Sequence, residues 1–146
     1  PFVGLQVRTF VDANFQNKRF VDKFFLCARS ILLSPCHRLA RLPVFISSDY
    51  IQGLDLAYES LYLNSSLFWR PAPFTHTGKT RECMNSAFLD WFILGESRVL
   101  ISFGTTYAIT AAARKGFTGM SFVYTPSSDY CGPLQESSCD GPDIAF

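Results

Sequence analysis

Short runs of β-branched and aromatic residues alternate along this chain with segments of helical spacing, and that alternation restricts the fold more than any other feature. The first run, VGLQVRTF at 3–10, carries Val3, Leu5 and Val7 and stops on Arg8. From Lys18 to Leu33 the spacing becomes helical, with Phe20, Phe24, Cys27 or Ala28, and Ile31 on one face, and Pro35 marks the end. Pro43 opens a second strand at 44–48, and Asp49 is placed to cap a helix at 50–63 that turns Leu54, Ala57, Leu61 and Tyr62 inward. A short strand at 66–69 leads into an irregular loop. An apolar helix at 84–94 follows, with Gly95 near its end, and then the best strand in the chain, 99–103. A helix at 107–115, stopped by Gly116, and a strand at 120–124 complete the series, and the tail from Thr125 reads as loop. Strand–helix alternation of this kind predicts an α/β fold, a Rossmann-like parallel sheet with helices on both faces. Right-handed crossovers then bring every strand's carboxyl end to one edge. No internal repeat or low-complexity segment interrupts the pattern.

The bulk numbers agree. A chain of 146 residues, 48% apolar and 16% aromatic, can bury a core of its own. Fifteen phenylalanines are many for this length, and some are expected to face a partner domain. A formal charge of +1 argues against nucleic acid as a partner. No apolar run is long enough to span a bilayer, and no signal-peptide pattern is present. The chain enters its first strand directly from Pro1, so a fragment of a longer protein is expected. Missing targeting segments therefore say little about location. The five cysteines form no CxxC pair, which argues against a structural zinc site. Cys131 and Cys139 lie in a Gly/Pro/Ser-rich tail, where a disulfide between them would close a short loop in an oxidising compartment. Asn64-Ser65-Ser66 matches the N-glycosylation pattern. His37, beside Pro35 and Cys36, reads as a surface turn residue.

Three features fall on the shared carboxyl edge. Arg8 can fork two phosphate oxygens without losing its charge; the competing account is a strand-end arginine in water or paired with Asp12. In Ser102-Phe103-Gly104-Thr105-Thr106-Tyr107 a strand ends, glycine permits a tight turn, two hydroxyls follow and a helix begins. A helix N-terminus with adjacent hydroxyls suits an anion, although ordinary capping by Thr105 or Thr106 explains the same residues. The loop at 74–81 brings His76, two bases and three threonines to the same edge, or is simply solvated. Asp90 and Trp91, in the next helix, either line the core's rim or reach a ligand. No Ser-His-Asp order, HExxH motif or hydrolytic carboxylate pair is present.

These residues resemble, in order, those of the GDP-fucose-dependent fucosyltransferases: VGLQVRTF, VFISSD, MNSAFLDWFILGESRVLISFGTTYAITAAARKGF and FVYTPSSDYCGPLQESSC. The sequence is most similar to the plant cell-wall, xyloglucan-type α-1,2 enzymes. Two departures stand out: Thr9 follows the motif arginine where many relatives have a second base, and Gln6 takes the place of a histidine, as in the plant type. The resemblance implies the C-terminal half of a GT-B glycosyltransferase. Residues 1–124 would form the nucleotide-sugar domain, and 125–146 a C-terminal tail. It implies inverting transfer of fucose from GDP-fucose to a glycan acceptor, without a cofactor or divalent metal. Arg8 would contact the β-phosphate, and Ser102, Gly104, Thr105, Thr106 and Tyr107 would cradle the pyrophosphate. His76 and Asp90 would lie around the nucleotide. Implied partners are the N-terminal half of the same protein and the glycan acceptor, with a homodimer left open. The implied location is the Golgi lumen, in a type II membrane protein. Two other classes compete: a transferase-like domain that binds nucleotide or glycan without turnover, and a structural α/β domain whose phenylalanines form an interface.

Overall fold

The computed structural model describes residues 1–8, 18–49, 51–61, 66–70, 80–114, 116 and 120–133. Asn64, His76 and Cys139 lie outside the described residues, as do Asp12 and Tyr62. The elements run β1 (Val3–Val7), α1 (Lys18–Leu33), β2 (Val44–Ser48), α2 (Ile51–Leu61), β3 (Leu67–Phe68), α3 (Arg81–Glu96), β4 (Val99–Ser102), α4 (Thr106–Ala113), β5 (Met120–Thr125) and β6 (Tyr130–Pro133). They form one six-stranded sheet in the order β3-β2-β1-β4-β5-β6. Every pair from β3 to β5 is parallel, and β6 joins β5 antiparallel. The expected α/β fold is present.

Alternation along the strands divides the core in two. Val3, Leu5 and Val7 face α1 and α2 with Val44, Ile46, Val99 and Ile101, in the larger cluster. Phe24 lies at its centre, stacked on Phe103 at 4.2 Å. The α1 stripe is Val21, Phe24, Phe25, Cys27, Ala28, Ile31 and Leu32, while the expected Phe20 lies toward solvent. The opposite face is thinner: Phe45 and Leu100 pack under Leu94, Ala108 and Ala111 of α3 and α4. Gly95 lies near the end of α3 as expected, one residue before the last, Glu96. It is a contact point, and a Cβ there would stand 2.8 Å from the Ala111 carbonyl oxygen of α4. Gly116 ends α4 as expected, at φ +63°.

Three expectations need correction. The stretch after Thr125 is not all loop, since Tyr130–Pro133 pairs with β5. Its glycine and proline conceal the strand, and a sheet edge tolerates both. The second correction concerns Cys131, which bonds Cys27 and not Cys139, with a Cα–Cα distance of 5.8 Å. Cys131 lies opposite Tyr124 in the β5–β6 register and packs against the core that holds Cys27. That spacing is the one a disulfide bridges. Cys36 is disulfide-bonded as well, and Cys83 is not. Finally, His37 is half-buried and meets Phe122 edge-on at 4.8 Å. Burial lowers its pKa from the ordinary value.

Candidate functional site

The strand order reverses direction between β1 and β4. Leaving β1, the chain runs outward through β2 to β3, and it then returns to β4 on the other side. In open α/β sheets a crevice opens at that point, outside the carboxyl ends of the strands. Arg8 follows β1 directly, and Gly104-Thr105 follows β4. The two features with the strongest sequence case for binding an anion therefore flank one crevice.

On the face toward α3 and α4, polarity rises layer by layer toward this edge. Gly4, Phe45 and Leu100 share one row of the register, and Gln6, Ser47 and Ser102 share the next. The first row is apolar. The second is buried and polar, with Gln6 5%, Ser47 6% and Ser102 3% exposed. Buried polar groups need partners, and these have them. Thr105 Oγ1 donates to Gln6 Oε1 at 3.2 Å, Ser47 Oγ donates to Asp90 Oδ2 at 3.1 Å, and the Gly104 N–H donates to Ser102 Oγ at 3.2 Å. Two residues further along each strand, Arg8 Nε stands 3.4 Å from Asp49 Oδ2.

The β4–α4 turn is fixed from both sides. Gly104 has φ +67°, and a Cβ on it would meet Val123 Cγ1 at 2.8 Å. Thr105 is the N-cap: its hydroxyl accepts from the Ala108 N–H at 3.3 Å while donating to Gln6. This ties the start of α4 to β1. The N–H groups of Thr106 and Tyr107 stand in the first turn, where a helix has no carbonyl of its own to receive them. Backbone N–H groups, the positive end of the helix dipole and Arg8 thus share the crevice.

The remaining candidates divide. The Ser102 hydroxyl is taken up in holding the turn. Tyr107 sends its hydroxyl to the Ala87 carbonyl of α3. Burial first, and the Asp90 charge second, push its pKa above the ordinary tyrosine value, so the group stays protonated. Tyr107 therefore offers the crevice its backbone and not its phenol. Both Asp90 oxygens are engaged, Oδ2 by Ser47 and Oδ1 by Arg70 Nε at 2.6 Å. Arg70 Nη2 also donates to the Ser86 carbonyl at 2.9 Å. Trp91 turns away, and its Nε1 donates to Thr110 Oγ1 of α4 at 3.1 Å. His76 lies outside the described residues. Among the described residues no group of three His, Cys, Asp or Glu side chains is placed to hold a metal ion.

Sequence reasoning missed Asp49 as a partner of Arg8, and it missed Arg70 altogether. One signal could have found both. Asp49 follows β2 as Arg8 follows β1, and Arg70 stands two residues beyond β3. The edge that made Arg8 notable collects them too.

No protein-family profile matches the chain, and no curated protein sequence does. Solved structures do match. A structure of NodZ alpha-1,6-fucosyltransferase co-crystallized with GDP matches with a TM-score of 0.56 at 17% identity, over 84% of this chain and 37% of that one. A second, of the same enzyme soaked with GDP-fucose, matches with a TM-score of 0.58 at 20% identity, over 93% of this chain and 42% of that one. This chain thus spans about two fifths of those proteins. It has a fucosyltransferase-like α/β fold.

Proposed function

We propose that this chain is the donor-binding part of an inverting fucosyltransferase, holding GDP-fucose in the crevice between β1 and β4. The observation that carries the reading is the convergence of Arg8 and the Gly104–Thr105 turn at the point where the strand order reverses. Breaking the bond between the fucose anomeric carbon and the β-phosphate oxygen leaves its electron pair on GDP. The sugar becomes cation-like, and charge builds on the pyrophosphate. Donors fixed beforehand at that position stabilise the transition state more than the ground state. Arg8 and the first-turn N–H groups of α4 are such donors, and we assign the β-phosphate to Arg8 and the pyrophosphate to the turn. An acceptor hydroxyl then attacks the opposite face and inverts the anomeric carbon. We assign the base that takes its proton to the rest of the parent protein.

The bound molecules named for the two NodZ structures, GDP and GDP-fucose, support the choice of donor. Those enzymes are α-1,6-fucosyltransferases. The finer likeness to the plant α-1,2 type rests on Gln6 and the motifs quoted above, and we keep it as a proposed likeness of the donor half, with no acceptor assigned. The donor-binding unit we assign takes in β6 as well as residues 1–124. We place the parent in the Golgi lumen, a location supported by the Cys27–Cys131 disulfide. Asn64 is then a glycosylation site, and turnover is expected to survive chelation of divalent ions.

Calorimetric titration of the full-length protein with GDP, UDP and ADP tests the reading. Selective GDP binding is expected, lost in Arg8→Ala and badly impaired in Arg8→Lys, because lysine cannot fork two oxygens. Equal affinity for all three nucleotides, or none, overturns it. GDP binding without fucose release from GDP-fucose would make the domain a binding module.

A further inference from the structure

We propose that Asp49 is the positioning residue for Arg8: its buried carboxylate aims the guanidinium at the terminal phosphate of a nucleoside diphosphate in the β1–β4 crevice. The proposal rests on the reading above and adds to it a second residue, on a neighbouring strand. Val7 and Ser48 end the β1–β2 register as partners, and Arg8 and Asp49 are the next residue of each strand. The Asp49 side chain is only 6% exposed, whereas that of Arg8 is 26% exposed. Asp49 is thus the buried partner, and Arg8 is the one that keeps part of its side chain at the surface of the carboxyl edge.

The ion pair lies on the Nε side of the guanidinium, at 3.4 Å. A guanidinium is planar and carries five N–H donors, so a carboxylate at Nε takes one of them and sets the plane of the rest. An arginine side chain left to itself samples many rotamers, and fixing it costs side-chain entropy. Asp49 imposes that order before the ligand arrives, as preorganised sites require. Its charge also offsets that of Arg8 when the crevice is empty.

GDP and GMP differ in the terminal phosphate, the group assigned to Arg8, so their affinity ratio reports on that contact. The full-length protein would be titrated with both nucleotides as wild type, Asp49→Asn, Asp49→Glu, Arg8→Ala and the double variant Arg8→Ala/Asp49→Asn. Thermal unfolding would be recorded for each. In Asp49→Asn, GDP affinity is expected to fall about tenfold with GMP affinity unchanged, which narrows the ratio. Asp49→Glu, which keeps the charge but moves it, should narrow the ratio in the same direction. The double variant should be no worse than Arg8→Ala, because the two residues act through one contact. Parallel loss of both nucleotides, or an unchanged ratio in folded Asp49→Asn and Asp49→Glu protein, would overturn the proposal. A wild-type protein that binds GDP no better than GMP would overturn the site reading itself, and with it this role.

Discussion

Gly104 holds the crevice open at a single atom's scale. Its φ of +67° is a conformation that costs other residues about 1–2 kcal/mol, and Val123 occupies the space a side chain would need. Gly104→Ala is therefore expected to lower stability by at least about 1–2 kcal/mol in urea unfolding, and to weaken GDP binding beyond that loss, because α4 starts from this turn. Arg8 and Gly104 were legible as candidates because an arginine at a strand end and a glycine between strand and helix are local facts. The partners they use were not. Thr105 reaches Gln6 across 99 positions, and Asp90 reaches Ser47 across 43. No spacing rule connects such residues until the sheet brings β1, β2 and β4 side by side.

Among the elements, α1 and β2 were readable to the residue, and α3 shows why others were not. Its sequence is strongly apolar, yet only Leu94 and Gly95 are buried, while Met84, Phe88, Leu89 and Phe92 are exposed. Length explains the exposure of Met84 and Phe88. Sixteen helical residues span about 24 Å, and the five-residue strands beneath it about 16 Å. The amino-terminal half of α3 therefore overhangs the carboxyl edge, with Arg70 gripping Asp90 and Ser86 beneath it. The neighbouring α4 has only eight residues and depends on its cap. Thr105→Ala removes that cap and one partner of the buried Gln6, so a loss of about 1–3 kcal/mol is expected in chemical denaturation. Thr105→Ser, which keeps the hydroxyl, should recover most of it.

For the whole molecule, the alternation of apolar runs and helical spacing was enough to predict the parallel sheet. The closing strand was hidden, because Tyr130–Pro133 has neither the length nor the composition of an interior strand. The cysteine pairing was hidden too, since five cysteines permit many pairings and only packing selects among them. Cys27–Cys131 fastens β6 to α1 and encloses most of the domain. Cys131→Ser should cost about 2–5 kcal/mol, measured as a fall in the urea midpoint relative to the oxidised protein. The same bond also has a history in time. Cys27 leaves the ribosome 104 residues ahead of its partner, a wait of roughly 5–20 s at ordinary rates of synthesis. Cys36 and Cys83 emerge during that interval as rival thiols. The newborn chain must therefore keep Cys27 out of premature oxidation or rely on an isomerase to undo it, and the covalent closure of this domain comes at the end of its translation.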